Sequence, residues 1–178
     1  MTTSTNSPSP APGGGVGVGE KADVRFLLRH PAHLVAFGFG SGLAPKAPGT
    51  VGTLLGLPLY WLIAAAAPDL ANRIILVVAA FLIGVWACGR TGRALGVADH
   101  GGMVWDEIAA FALVLLFTPA GWAWTALAFA LFRLFDILKP WPIRLADRRL
   151  KNGFGVMFDD LLAAGYAIAA IKGAQWLV

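Results

Sequence analysis

Charged residues and cysteines are both scarce in this chain. Asp, Glu, Lys and Arg make up 13% of the 178 residues, whereas apolar residues make up 57%. Because soluble domains carry about 25% charged residues, this composition indicates an integral membrane protein. The single cysteine, Cys88, excludes an intramolecular disulfide and any metal site built from cysteines alone. We therefore expect Cys88 to pack between helices.

A secretory signal is also missing, since no basic segment and short apolar run precede a cleavage site. Residues 1–22 are rich in Ser, Thr, Pro and Gly and contain few large apolar side chains. Such a segment buries too little surface to offset the entropy lost on ordering. The sequence therefore predicts a disordered tail over residues 1–22 and a single membrane-embedded domain over residues 23–178.

Apolar runs recur along the remaining chain, but several are shorter than the roughly 20 residues that span a bilayer as a helix. The five runs cover residues 51–67, 74–88, 104–118, 120–138 and 156–178. They predict an all-α, polytopic membrane protein with four or five short transmembrane helices.

The basic residues are distributed unevenly between the predicted loops. If each run crosses the membrane once, one side receives all of the 14 lysines and arginines except Arg73 and Lys172. Basic loops remain in the cytoplasm, so this side is predicted to be cytoplasmic. A sequence pI near 9.6 is also typical of nucleic-acid-binding proteins. Because the charges flank apolar runs, we expect a bilayer rather than a nucleic acid as the partner.

Five acidic residues lie at the ends of these runs on the predicted cytoplasmic side. They are Asp106, Glu107, Asp136, Asp159 and Asp160. Acids at a helix start are also explained by capping and by the helix dipole, but Asp136 lies at a helix end, where an anion is disfavoured. Arg133 and Lys139 are spaced to pair with Asp136, which leaves an ion-pair ladder as the alternative. The carboxylates need further counter-charge, and Mg²⁺ is the natural hard cation for them.

A Gly- and Pro-rich segment, residues 38–53, precedes the first run. Its glycines leave backbone N–H groups open to an anion, and the side chains of Ser41, Lys46 and Thr50 offer further donors. The pattern predicts an irregular loop that binds phosphate. The alternative is a membrane-entry loop in which Gly and Pro only interrupt the helix.

Three alternatives to an enzyme that binds Mg²⁺ and phosphate remain open from the residues alone. An ion- or proton-coupled transporter also carries carboxylates in apolar segments, but it places some of them near the middle of the membrane. A phospholipid-synthesising alcohol phosphotransferase would carry its aspartates in one long motif, which is absent here. A structural membrane subunit is the third alternative.

Four motifs occur in order along the chain: GSGLAPKAPGTVGT (40–53), VWDEIAAF (104–111), FRLFDILKPWPI (132–143) and GFGVMFDDLLAAGYA (153–167). In these motifs the chain resembles the phosphatidylglycerophosphatase A family of bacterial lipid phosphatases. The resemblance implies Mg²⁺-dependent hydrolysis of phosphatidylglycerophosphate to phosphatidylglycerol and phosphate at the cytoplasmic face of the inner membrane.

The resemblance also implies roles for particular residues. The five acidic residues match the acidic positions of the family motifs and are predicted to be catalytic and to bind the metal. Arg133 and Lys139 match the basic positions, and we expect them to hold the phosphoryl group together with Ser41, Lys46 and Thr50.

Overall fold

The computed structural model describes residues 22–177, so the predicted tail lies almost entirely outside the described residues. Within that range the chain forms α-helices and one short 3-10 helix, Gly38–Leu43, and contains no strand. The α-helices are α1 (Val24–Leu28), α2 (Pro31–Ala36), α3 (Pro48–Ala66), α4 (Leu70–Leu95), α5 (Trp105–Leu116), α6 (Trp122–Leu138), α7 (Ile143–Arg149) and α8 (Gly153–Gln175).

The five longer helices, α3, α4, α5, α6 and α8, correspond to the five apolar runs. Within the described chain, α3, α4 and α8 are long and apolar enough to cross a membrane. Helix α5 has 12 residues and α6 has 17, so both are shorter than a full span. The prediction of an all-α polytopic membrane protein is confirmed.

Helix ends differ from the ends of the apolar runs because capping residues determine where a helix begins. Helix α3 begins at Pro48, whose ring suits the first helical position. Asp69 caps α4 by accepting a hydrogen bond from the Asn72 amide, and Asn152 caps α8 by accepting one from the Gly155 amide. Each of these three helices therefore begins a few residues before its apolar run.

Helix α5 occupies the centre of the bundle, where it packs against α3, α4, α6 and α8. Nine of its 12 residues are buried, among them Phe111 and Val114 with no exposed surface. A helix that is apolar on all sides belongs in a core. Because protein surrounds α5, its short length does not leave unpaired backbone groups facing lipid.

Helices α4 and α8 approach each other closely through small residues. A Cβ added at Gly153 would overlap the Val85 carbonyl oxygen and the Gly89 backbone. Glycines at such contacts let two helix backbones approach in a membrane. Cys88, on the same helix as Gly89, is fully buried, which confirms the packing role predicted for it.

The prediction of an irregular loop over residues 38–53 is only half right. Its first half contains the 3-10 helix, in which Phe39 and Gly40 have φ values of 55° and 103°. Its second half is helical, because α3 already begins at Pro48. Thr50 and Thr53 therefore project from a helix and follow helical rather than loop spacing.

Candidate active site

All five predicted acidic residues lie toward one end of the bundle. Asp106 and Glu107 occupy the first turn of α5, and Asp136 lies near the C-terminal end of α6. Asp159 and Asp160 are the seventh and eighth residues of α8, about two turns beyond its cap. They are too far from the helix start to cap it, so that explanation fails for this pair.

Arg133 joins helices α3, α5 and α6 at this end. Its Nη1 atom lies 2.5 Å from Asp136 Oδ2 and 3.3 Å from Glu107 Oε1. The same nitrogen donates a longer hydrogen bond of 3.5 Å to Thr53 Oγ1. The guanidinium therefore carries counter-charge for two carboxylates from different helices. Arg133, Asp136, Glu107 and Thr53 form the first ionic centre.

Lys139 forms a second ionic centre with residues of α7 and α8. Its Nζ atom lies 2.5 Å from Asp159 Oδ2 and 3.0 Å from Asp147 Oδ1. The spacing along α6 predicted that Lys139 would pair with Asp136, and its observed partners are different. Lys139 ends α6 in a left-handed conformation with φ 43°, so its side chain leaves the helical register.

These ion pairs keep Lys139 and Asp147 charged. Burial of Lys139 acts against its charge, but the hydrogen bond and the charge of Asp159 outweigh burial and raise the lysine pKa above its usual value. Partial burial likewise opposes the charge of Asp147, yet the hydrogen bond from Lys139 holds the pKa of that carboxyl below its usual value. Lys139 therefore remains a cation throughout the physiological pH range.

Several buried polar atoms at this end have no hydrogen-bond partner within residues 22–177. They are Glu107 Oε2, Asp160 Oδ2 and Arg133 Nε. The charges of Asp106, Glu107, Asp136 and Asp159 all act on the Asp160 carboxyl, which is itself 4% exposed. Buried groups in folded proteins are normally paired, so unpaired charged atoms are typical of a site that binds a ligand or an ion.

The described chain contains no group of three or more His, Cys, Asp or Glu side chains arranged so that they could hold a metal ion. Asp136 and Asp159 are instead turned toward Arg133 and Lys139. The Asp106 carboxylate accepts a hydrogen bond of 3.0 Å from the Glu107 backbone amide. The carboxylates thus share one end of the bundle, while the predicted role of all five as ligands stays a prediction.

The Gly-rich segment meets the carboxylates through the first turn of α3. A Cβ added at Gly49 would overlap Glu107 Oε1 and lie 3.3 Å from Arg133 Nη1. Any larger residue at position 49 would displace the Glu107 carboxylate from its present position. The segment and the acidic residues therefore lie on the same side of the molecule.

The predicted phosphate donors of this segment differ in their surroundings. Ser41 donates a long hydrogen bond of 3.5 Å to the Phe37 carbonyl, and Lys46 is exposed just before α3. Thr50 is half-buried on the first turn of α3, the turn that contains Gly49. Their part in binding phosphate remains a prediction.

Sequence reasoning missed two residues of the ionic centres, Thr53 and Asp147. Thr53 is fully buried, donates to the Gly49 carbonyl at 2.8 Å and accepts from Arg133. Its spacing of four residues from Gly49 would have identified it had the segment been recognised as helical. Asp147 belongs to α7, which at seven residues is too short for its apolar pattern to be distinctive.

Such an arrangement suits the binding of a small, multiply charged anion. Arg133 and Lys139 each bring N–H donors to a pair of carboxylates, and an arriving phosphate could share those donors. The unpaired carboxylate oxygens provide candidate bases for activating water. These donors and candidate bases are compatible with the hydrolysis of a phosphate ester.

Comparison with known proteins identifies the family. Residues 34–175 match the model of phosphatidylglycerophosphatase A. A Haemophilus influenzae protein of that name is 47% identical over 152 residues, which cover 84% of this chain and 91% of the relative. An Escherichia coli protein of the same name is 41% identical over 143 residues, which cover 80% of this chain and 82% of the relative.

A Bacteroides thetaiotaomicron protein with a provisional phosphatidylinositol-3-phosphatase name is 40% identical over 152 residues, which cover 82% of this chain and 94% of that relative. No solved structure matches the chain. The family model covers all four sequence motifs and every residue of the two ionic centres. The chain belongs to the phosphatidylglycerophosphatase A family.

Proposed function

We propose that this protein hydrolyses phosphatidylglycerophosphate to phosphatidylglycerol and phosphate in phospholipid synthesis, and that it requires Mg²⁺. The observation that carries the proposal is the pair of buried, unpartnered carboxylate oxygens on Glu107 and Asp160 beside two ion-paired cations. The names of the two relatives with 47% and 41% identity support the substrate.

The residues of the site would have different roles in the hydrolysis of a phosphate ester. A phosphate monoester dianion repels an anionic nucleophile and any nearby carboxylate base, so the charge on its oxygens must be neutralised. Arg133 and Lys139 would bind these oxygens, and Asp136 and Asp159 would hold the two cations in position. The unpartnered oxygen of Glu107 or of Asp160 would take a proton from the attacking water as the water oxygen bonds to phosphorus and the bond from phosphorus to the glycerol oxygen breaks. The released glycerol oxygen would take up a proton from solvent, which gives phosphatidylglycerol and phosphate.

A divalent metal fits the donor chemistry of the remaining carboxylates. Asp106, Glu107 and Asp160 offer hard oxygen ligands, although no three carboxylates of the described chain converge as a ligand set. Glu107 and Asp160 each have an unpartnered buried oxygen, so one or both of them would hold the metal. When bound, Mg²⁺ would neutralise phosphoryl oxygens alongside Arg133 and Lys139. Its small, strongly hydrated ion is commonly held by one or two carboxylates, with waters and substrate phosphate completing the shell.

The transporter alternative is less well supported by the position of the carboxylates. A coupled transporter needs ionisable groups near the middle of the membrane. In α8, Asp159 and Asp160 are the seventh and eighth of 23 residues, so they lie nearer the start of the helix than its middle. Helices α5 and α6 carry their acids at the same end of the bundle.

The proposed site faces the cytoplasm, because most basic residues lie at its end of the bundle. A membrane-impermeant thiol reagent applied to intact cells should leave an Arg149→Cys variant unlabelled and should label an Ala71→Cys variant at the opposite end. Both positions are exposed, and native Cys88 is fully buried. Labelling of Arg149→Cys but not of Ala71→Cys would show that the site faces away from the cytoplasm.

The catalytic proposal is tested by phosphate release from purified protein in mixed micelles. We expect turnover of phosphatidylglycerophosphate with Mg²⁺, loss of turnover with excess chelator, and recovery when Mg²⁺ is restored at constant ionic strength. Phosphatidylinositol 3-phosphate in parallel micelles tests the substrate suggested by the third relative's name. Full turnover in chelator would rule out the metal, and release from the inositol lipid alone would change the substrate.

A further inference from the structure

An apolar groove is lined by residues of helices α4, α5 and α8. Its volume is about 130 Å³, and its walls are aliphatic and aromatic except at Asp106. Val78 on α4 lines the groove and is 50% exposed, so the groove opens away from the protein core. A carboxylate of the candidate active site thus lies at the end of a surface that is otherwise apolar.

The groove points from the active site toward the opposite membrane face. Along α5 it extends from Asp106 to Leu113, seven residues or about 10 Å. Helix α4 runs antiparallel to α5 and borders the groove from Phe81 back to Ile74, which covers a similar length. Asp106 therefore marks the end nearer the charged groups, and Leu113 marks the end deeper in the apolar part of the bundle.

We propose that this groove holds an acyl chain of the phospholipid substrate and so positions the headgroup phosphate at the carboxylates. The inference rests on the proposed function, which supplies a substrate with a charged head and long apolar chains. Such a molecule matches the groove in polarity and in direction, since its head belongs at Asp106 and its chain beside Leu113.

An acyl chain fits these walls better than a peptide segment does. A non-helical peptide would bring backbone N–H and C=O groups that the apolar walls cannot satisfy. An acyl chain carries no such groups and adapts to a shallow groove by changes of its torsions. A lipid held in this way also reduces the entropy lost when the headgroup is oriented for reaction.

Substitution at the groove mouth provides the test. A Val78→Trp side chain would fill the groove from α4, where half of the native side chain is exposed and the core is not disturbed. Ile83→Trp is the matched control, because Ile83 is 46% exposed on the same helix but lies about 140° around it. Both variants and the native protein are assayed with phosphatidylglycerophosphate carrying either six-carbon or eighteen-carbon chains.

We expect Val78→Trp to raise KM for the long-chain lipid about tenfold, because a misfit of one methylene in an apolar pocket changes discrimination by about that factor. KM for the six-carbon lipid should change much less, and Ile83→Trp should match the native protein with both lipids. Equal KM changes for the two chain lengths, or equal effects of the two variants, would overturn the assignment.

A second measurement does not depend on turnover. A phosphatidylglycerol with a diazirine in the middle of one acyl chain is photolysed in micelles of the native protein, and the adducts are mapped by mass spectrometry. We expect adducts at Leu113 and Leu161 that disappear in Val78→Trp and persist in Ile83→Trp. Adducts without phosphate release would retain the groove and reject the catalytic proposal, whereas release without these adducts would reject the groove alone.

Discussion

The two ends of the helical bundle use charged residues in different ways. At the junction of α3 and α4, Asp69 accepts hydrogen bonds from the backbone and side chain of Asn72 at 2.9 Å and 2.6 Å. Arg73 donates to the backbone carbonyls of Ala67, at 2.9 Å, and Pro68, at 3.4 Å. All of these partners lie within six residues of each other, and their role is to complete helix ends.

At the other end, charged residues find partners far away in the sequence. Arg133 reaches back 26 residues to Glu107, and Lys139 reaches forward 20 residues to Asp159. Asp160 and Glu107 keep buried oxygens with no partner in the described chain. An acidic residue near a helix end is therefore a candidate for function when its partners are distant in sequence and its oxygens are not all hydrogen-bonded.

The largest expected effect is that of Asp160→Asn, which removes one unpaired charge and nearly preserves side-chain volume. We expect phosphate release to fall by about 100-fold, the upper part of the range for losing a group that supports a metal site. Thermal stability in detergent should not fall, because an uncompensated buried charge opposes folding.

Asp69→Asn is the matched control at the opposite end. Its hydrogen bonds from Asn72 hold the pKa of the Asp69 carboxyl below its usual value, yet an amide caps a helix nearly as well. Activity and stability should both stay near those of the native protein. Near-native turnover in Asp160→Asn would remove the distinction between the two ends.

A smaller loss is expected for Gly49→Ala. The new methyl group would displace the Glu107 carboxylate and crowd Arg133, and we expect turnover to fall about tenfold because misplacement by about 1 Å can cost that much or more. Alanine favours a helix by up to about 1 kcal/mol over glycine, so the melting temperature should not fall. Gly101→Ala, where nothing lies within 4 Å of the new atom, is the control.

If Gly49→Ala lowers stability and activity in parallel, the tight contact serves folding and not the site. Comparison of kcat with KM refines the result. Displacement of a base should act on kcat, whereas crowding of Arg133 should weaken phosphate binding and raise KM.

The smallest effect is expected for Asp147→Asn. The pair of Lys139 and Asp147 is partly exposed, and such pairs contribute about 0.2–1 kcal/mol, so turnover should fall less than about fivefold. Lys139 retains Asp159 as a partner. Arg149→Gln, a charge change on the exposed side of the same helix, measures any general effect of charge, and equal losses in both variants would remove a specific role for Asp147.

The fold was largely predictable because long apolar runs require helices in a membrane. The five runs match α3, α4, α5, α6 and α8, although the ends depend on caps such as Asn152 that hydropathy does not detect. Helix α7 was not predicted, since seven residues with one buried member, Ile143, carry too little periodicity.

The residues that belong to the site were easier to predict than the ion pairs that they form. The distribution of charge and the direction of each helix predicted that Asp106, Asp136 and Asp160 lie at one end of the bundle, and the structure confirms this. The partner of Lys139 was not predictable, because spacing rules apply only while the backbone is helical. Its left-handed conformation sends the side chain to Asp159, and that conformation depends on packing beyond the helix.

Helix α8 is the last described helix, and it alone supplies Asp159 and Asp160. During synthesis, α3, α5 and α6 therefore leave the ribosome before the site has its full set of carboxylates. Lys139 lacks its closest ionic partner until α8 inserts beside it. The candidate site therefore cannot be complete until α8 has been made and has packed beside α5 and α6, and a chain truncated before α8 would lack both aspartates and should be inactive.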